Sequence, residues 1–363
     1  MTVIAKTKPA REAAAPSPLS RSEKAAADVA ALLRARNPLL WVTTREEARV
    51  EQYLVEAAAS AGYVPYTWDI AQGARTIAGN VIPGLGGAGT DPGDMLGVIQ
   101  ARASSGGAER AVWIMRDLAP WLRDLTGAAP LRALRNLTRA LPAAPREYAQ
   151  AIIVLSAGGD IPPELATSAT AIEWPLPDRT EIGDILDAAV EALPDGVRAR
   201  ALGKGAREAA IDATVGLTGE EAQACYAKSL VQSRQIIPAT VAAEKKRVIA
   251  RERILEWHDP IPDGLDAIGG LDNLKAWLIS RAAAYSPRAR KYGLLPPKGA
   301  LLVGVPGCGK SLTAKAIATA WGVPLLRLDL GALKSKFVGE SEGNLRRALR
   351  VIEAIGRCVV WLD

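Results

Sequence analysis

Gly304-Val305-Pro306-Gly307-Cys308-Gly309-Lys310-Ser311 fits the spacing G-x-x-x-x-G-K-[ST] of a phosphate-cradling loop. Such a loop turns tightly with its backbone N–H groups pointing inward, and glycines at 304, 307 and 309 permit this because they lack a Cβ. Lys310 has the reach for β- and γ-phosphates, and the Ser311 hydroxyl suits Mg²⁺. The flanks give the loop its context. Ala300-Leu-Leu-Val303 before it reads as a buried parallel strand. Leu312 to Trp321 after it is Ala-rich, free of breakers until Gly322, and reads as a helix whose N-terminus faces the anion.

Working outward, Pro324–Asp329 reads as the next strand, and Leu345, Ala348, Leu349 and Ile352 mark one face of a helix. Val359-Val-Trp-Leu-Asp363 is an apolar strand ending in a carboxylate, a pattern that delivers Asp363 to a Mg²⁺ shell. Upstream, Asp259-Pro-Ile-Pro-Asp-Gly264 reads as a boundary between two domains. Ala239–Trp257 reads as a charged linker helix, with His258 in a capping role at its end.

The amino-terminal part alternates strands with helices. Strands are expected at 38–44, 63–69, 111–117, 151–156 and 171–174, and helices at 45–61, 94–104 and 131–141. This implies a parallel sheet covered on both faces. Residues 71–93 read as a long glycine-rich loop; no Lys stands beside its glycines, which argues against a phosphate role. Helices are expected from Asp178 to Trp257. Residues 1–36, rich in Ala, Pro and Ser at their start, read as a disordered tail, and Glu12 and Glu23 argue against a transit peptide.

Bulk composition narrows the function. The chain has 363 residues, 49% hydrophobic and 23% charged, room for two domains with buried cores. No apolar run is long enough to span a bilayer, and no secretory h-region is present. Three scattered cysteines and one histidine make neither a disulfide framework nor a metal cluster, which points to a reducing, cytoplasm-like compartment. The net charge is +6, and the whole excess lies from Asp259 onward. Nucleic acid binding is disfavoured, because no helix-turn-helix or zinc motif accompanies that charge.

Three stretches beside the loop carry a wider resemblance: Ile268-Gly-Gly-Leu-Asp-Asn-Leu-Lys275, Pro297-Lys-Gly-Ala-Leu-Leu-Val303 and Lys336-Phe-Val-Gly-Glu-Ser-Glu342. They resemble the AAA+ ATPases. More narrowly, the chain from about Asn37 onward is similar to the family named for hypothetical chloroplast reading frame forty-six, of plastids, cyanobacteria and other bacteria. The resemblance implies a P-loop α/β fold, three-layered with a parallel sheet, preceded by a second, degenerate AAA-like module. That module would span residues 37–238, with a helical lid-like end, a linker at 239–263 and the ATPase domain at 264–363.

It further implies ATP and Mg²⁺ as cofactors, a homo-oligomeric ring (a hexamer by analogy), a protein client, no membrane, and the cytoplasm or a plastid stroma. Gly304 to Leu312 would hold the phosphates, and Ile268 and Gly269 would line the adenine pocket. Ser311 and Asp363 would hold Mg²⁺, and Lys336, Phe337 and Val338 would form a pore loop. In the first module Thr43-Thr-Arg-Glu46 would replace the glycine loop, and Asp117 would stand where the metal carboxylate belongs.

In that fold the strands order as 5-1-4-3-2, so Ala300–Val303 and Val359–Asp363 are not neighbours and the sheet is expected to be split, with a partial chain that does not itself hydrolyse ATP. The function implied for the complete protein is ATP-driven remodelling of a protein; a nucleotide switch or a non-enzymatic scaffold stands beside it. Cys308 allows two readings, a small filler or a thiol whose oxidation blocks nucleotide.

Overall fold

The computed structural model describes residues 19–363, except 83–84, 86–88, 105–108, 124–126, 159–160, 204, 250–254, 260, 286–288, 290–291, 294–297, 334–344, 346–347, 350, 354, 356–357 and 363. Its larger sheet is built from β1 (Leu39–Thr43), β2 (Val64–Asp69), β3 (Gly73–Thr76), β4 (Ala111–Arg116), β5 (Gln150–Ser156) and β6 (Thr170–Glu173) in the order β3-β2-β4-β5-β1-β6. All neighbours pair parallel except β3, which returns antiparallel along β2. With β3 set aside, the five parallel strands follow the order 5-1-4-3-2.

Alternation along each strand sorts side chains to two faces. Leu39, Trp41, Trp113, Met115, Ile152 and Val154 join one buried cluster, with Met95 and Ile99 of α3 (Pro92–Ser104) and Leu134 and Leu137 of α4 (Ala128–Ala140). Their neighbours Leu40, Val42, Val112, Ile114, Ile153 and Leu155 join a second cluster on the opposite face. Val29 and Leu33 of α1 (Arg21–Arg34) and Val50 and Leu54 of α2 (Glu47–Ser60) cover that face. Helices on both sides of a mostly parallel sheet make three layers.

Helix α1 corrects the expected tail over 1–36. Ser20 accepts from the Glu23 N–H at 3.1 Å while the Glu23 carboxylate accepts from the Ser20 N–H at 2.6 Å, a capping box that starts the helix. Residues 1–18 lie outside the described residues. The expected loop over 71–93 is likewise corrected at its start, where β3 pairs with β2 through Thr67–Arg75 and Trp68–Ala74.

A helical segment follows: α5 (Arg179–Glu191), α6 (Asp195–Ala201), α7 (Ala206–Thr214), α8 (Gly219–Ser233) and α9 (Pro238–Ile249). The charged helix expected over 239–257 is found as α9 over Pro238–Ile249, but it is packed into a core and its expected end is a strand. Helix α9 buries Val241 in a core with Tyr226 and Cys225, and Leu255–His258 is a strand, β7. His258 therefore caps no helix; its ring lies 5.6 Å from that of Trp361.

The smaller sheet orders as β7-β8-β9, with β8 at Leu325–Leu328 and β9 at Val359–Leu362. β7 runs antiparallel to β8, and β9 runs parallel to it. Leu326 and Leu328 face the helical segment, whereas Leu325 faces Ala314 and Ala318 of the helix at Lys310–Trp321. The contact with the helical segment is close. A Cβ on Gly216, whose φ is +98°, would lie 2.5 Å from Ile355 Cγ1 and 3.0 Å from the Ile355 nitrogen. Among the described residues no helix is long and apolar enough to cross a membrane.

Candidate functional site

The glycine loop leads into α11 (Lys310–Trp321), after α10 (Asp272–Ala282). Gly307 and Gly309 hold φ of +83° and +88°, left-handed values that a side chain would strain. At Gly304 the need is space: a Cβ there would meet Cys308 Sγ at 2.6 Å. The Cys308 N–H donates to the Val305 carbonyl at 3.3 Å and closes the turn. Lys310 reaches back across the loop, its Nζ donating to the carbonyls of Gly304 at 3.0 Å and Val305 at 2.9 Å. Cys308 is exposed, with Sγ 3.7 Å from the same ammonium.

Helix α11 begins on Gly309 with no side-chain cap, so its first-turn N–H donors stay available to an anion. Ser311 and Leu312 stand exposed on that turn, while Thr313, Ala314 and Ala316 are buried behind it. The helix is thereby fixed to the small sheet with its N-terminus facing outward.

The expectation of a buried strand at Ala300–Val303 is contradicted. Residues 301–305 carry no ladder, and Leu301 and Val303 are 88% and 85% exposed. A strand exists only beside another strand, and among the described residues none lies next to this one. The split expected from the strand order is thus observed: β8 and β9 form their own sheet without it.

Ile268 is buried at the end of a turn over Gly264–Ala267 that packs on α11. The Ile261 N–H donates to Thr319 Oγ1 at 3.0 Å, and Trp321 Nε1 donates to the Leu278 carbonyl of α10 at 3.1 Å. These contacts attach the segment to the far half of α11. Among the described residues no hydrogen bond joins Ile268 or Gly269 to the glycine loop. Gly269 itself is exposed. Asp363 and the segment Lys336-Phe337-Val338 lie outside the described residues.

In the first module, Asp117 follows β4 with φ +49° and accepts from Ser156 Oγ at 3.2 Å, at the carboxyl ends of the central strands. Beside it, in the turn after β1, sits a group that the sequence reading missed: the buried carboxylate of Glu46 with Arg49 and Glu181. The Glu46–Arg49 spacing is visible as a helical neighbour pair. Glu181, 132 residues beyond Arg49, left no local signal.

Residues 25–174 match the family described as SpoVK-like AAA ATPase, N-terminal domain, and residues 180–252 match its second domain. Residues 300–363 match the ATPase family associated with various cellular activities (AAA). The chain is 34% identical over 341 residues to the AAA domain-containing protein ycf46 of Guillardia theta, covering 93% of this chain and 63% of that one. The ycf46 protein of Trieres chinensis is also 34% identical, over 337 residues, 92% of this chain and 64% of its own. The human ATPase family gene 2 protein homolog A is 27% identical over 158 residues, 39% of this chain and 18% of its own. The chain thus spans a little under two thirds of the ycf46 proteins it matches. Its parallel sheet of AAA+ order, its glycine loop opening a helix, and these matches agree: the chain belongs to the AAA+ ATPases, of the ycf46 type.

Proposed function

We propose that Gly304–Leu312 binds the phosphates of Mg·ATP, and that the whole protein hydrolyses it within a ring to remodel a protein partner. The observation that carries the reading is the bare N-terminus of α11, approached by a loop with left-handed Gly307 and Gly309 and spanned by Lys310. A nucleotide's tail supplies the anion that such a hollow lacks. The ammonium of Lys310, now held by two carbonyls, would turn to the β- and γ-phosphates. Positioning and charge neutralisation are most of what phosphoryl transfer asks of a protein.

The residues also suit the cation. Mg²⁺ takes oxygen ligands, and the exposed Ser311 hydroxyl stands in the first turn of α11 beside the hollow. Asp363 is proposed as its second contact from β9. Bound there, the ion would neutralise charge on the transferring phosphoryl group. We assign the adenine to the neighbourhood of Ile268 and Gly269, and a grip on extended polypeptide to Lys336, Phe337 and Val338. On this reading, the chain divides into a nucleotide-free first module, its helical extension and the ATPase module.

Turnover by the whole protein tests this. Lys310→Ala should lower ATP hydrolysis by about 100-fold or more, and Phe337→Ala should spare hydrolysis while ending work on a client. Undiminished turnover in Lys310→Ala would refute the site. ATP binding without turnover in the unaltered protein would favour the switch or scaffold.

A further inference from the structure

In the larger sheet, the turn Thr44–Glu46 leads from β1 into α2, ahead of its helix as the glycine loop is ahead of α11. Its acidic side chain is already engaged. The Glu46 side chain is 3% exposed, and its Oε1 accepts the backbone N–H of Gly219 at 2.5 Å. Gly219 opens α8, so that N–H is one of the donors a helix N-terminus leaves over.

The carboxylate is held in turn by Arg49. That guanidinium uses all five of its N–H donors: two to Glu46 (3.0 and 2.7 Å), and one each to Glu181 (3.0 Å), Ser22 Oγ (2.8 Å) and the Pro175 carbonyl (3.0 Å). Four pieces of chain meet at this one group: α1 through Ser22, the segment after β6 through Pro175, α5 through Glu181, and the turn after β1. Tyr53 adds a bond to Glu181 at 3.1 Å, and burial followed by that carboxylate pushes its phenol up to about 12. Asp178 does a similar task beside it, accepting from the N–H groups of Arg21, Thr180 and Glu181, at the starts of α1 and α5.

We propose that Glu46 and Arg49 form a built-in lock at the carboxyl end of β1: the Glu46 carboxylate takes the open N–H at the start of α8 and, through Arg49, ties the helical segment to the sheet, so the first module stays closed with no ligand. A bound ligand comes and goes; a covalently attached carboxylate does not. The first module is then a fixed platform, and its helical segment, which also packs on β8 through Leu326 and Leu328, gives the ATPase module a rigid base.

Hydrogen exchange on the 363-residue chain tests the proposal, and its first readout needs no nucleotide. In Glu46→Ala, the amides of Gly219, Glu221 and Ala222 should exchange about tenfold faster or more, because a buried donor loses its acceptor and Arg49 its main partner. Amides of β4 and β5 should keep their rates. If Glu46→Ala also loosens β4 and β5, Arg49→Lys, which keeps the charge and loses the fork, is read by the same amides. Unchanged α8 rates in the variant that retains β4 and β5 protection would overturn the lock. So would a slowing of those α8 amides by Mg·ATP in a Lys310→Ala chain, since nucleotide would then be entering the first module.

Discussion

Lys245 on α9 is a single buried ammonium whose surroundings set a measurable pH response. It is 4% exposed; Nζ donates to the Val215 carbonyl at 2.6 Å and lies 5.9 Å from the centre of the Trp257 ring. Burial pushes its pKa down to about 8, against the smaller opposing pull of Cys358, Asp212 and Cys225. The unfolded chain therefore holds this proton to higher pH than the folded one, so stability rises with pH once the folded group begins to lose it. Between pH 8 and 9 the contribution of Lys245 itself should rise by about 1 kcal/mol. Over the same range the thiols of Cys225, pushed up to about 11 by burial, and Cys358, also pushed up by burial, act in the opposite sense, because the unfolded thiols already lose protons there. Urea titrations at pH 8 and 9 check this, with Lys245→Met expected to remove the increment. An equal increment in that variant would place its source elsewhere.

Among the elements, α1 shows how a short signal decides structure that composition hides. Ser20-Arg-Ser-Glu23 is a capping box, and it converts the end of an Ala-rich tail into a helix that buries Val29, Ala30 and Leu33. That signal was legible but outweighed by its surroundings. Ser20→Ala should cost about 1 kcal/mol of stability, read as a lower urea midpoint with unchanged slope; an unshifted midpoint would mean that Asp178 alone starts the helix. Strands were read less evenly. The strands β1, β2, β4 and β5 announced themselves as apolar runs bounded by turns, since both their faces are buried. Ala300–Val303 has the same composition and forms none, and Leu255–His258, with Glu256 and His258 in it, does form one along β8. Pairing depends on what lies alongside, and a strand's own residues do not carry that information.

The whole molecule sets two AAA-type units in one chain, one around a six-stranded sheet and one whose described strands form a three-stranded sheet. Strand alternation made the layers of the first unit legible, and the glycine spacing made the loop of the second legible down to its positive-φ positions. What stayed hidden was long-range: the closing of the first unit by Glu46, Arg49 and Glu181, and the close fit of Gly216 against Ile355. Both join residues more than 100 positions apart, where no periodicity reaches. On the proposed reading the glycine loop takes an anion, and the first unit, tied by Glu46 and Arg49, takes none. Calorimetric titration with Mg·ATP measures that most directly. A single site per chain is expected, abolished by Lys310→Ala; a flat titration of the unaltered chain, two sites, or heat retained in Lys310→Ala would contradict this.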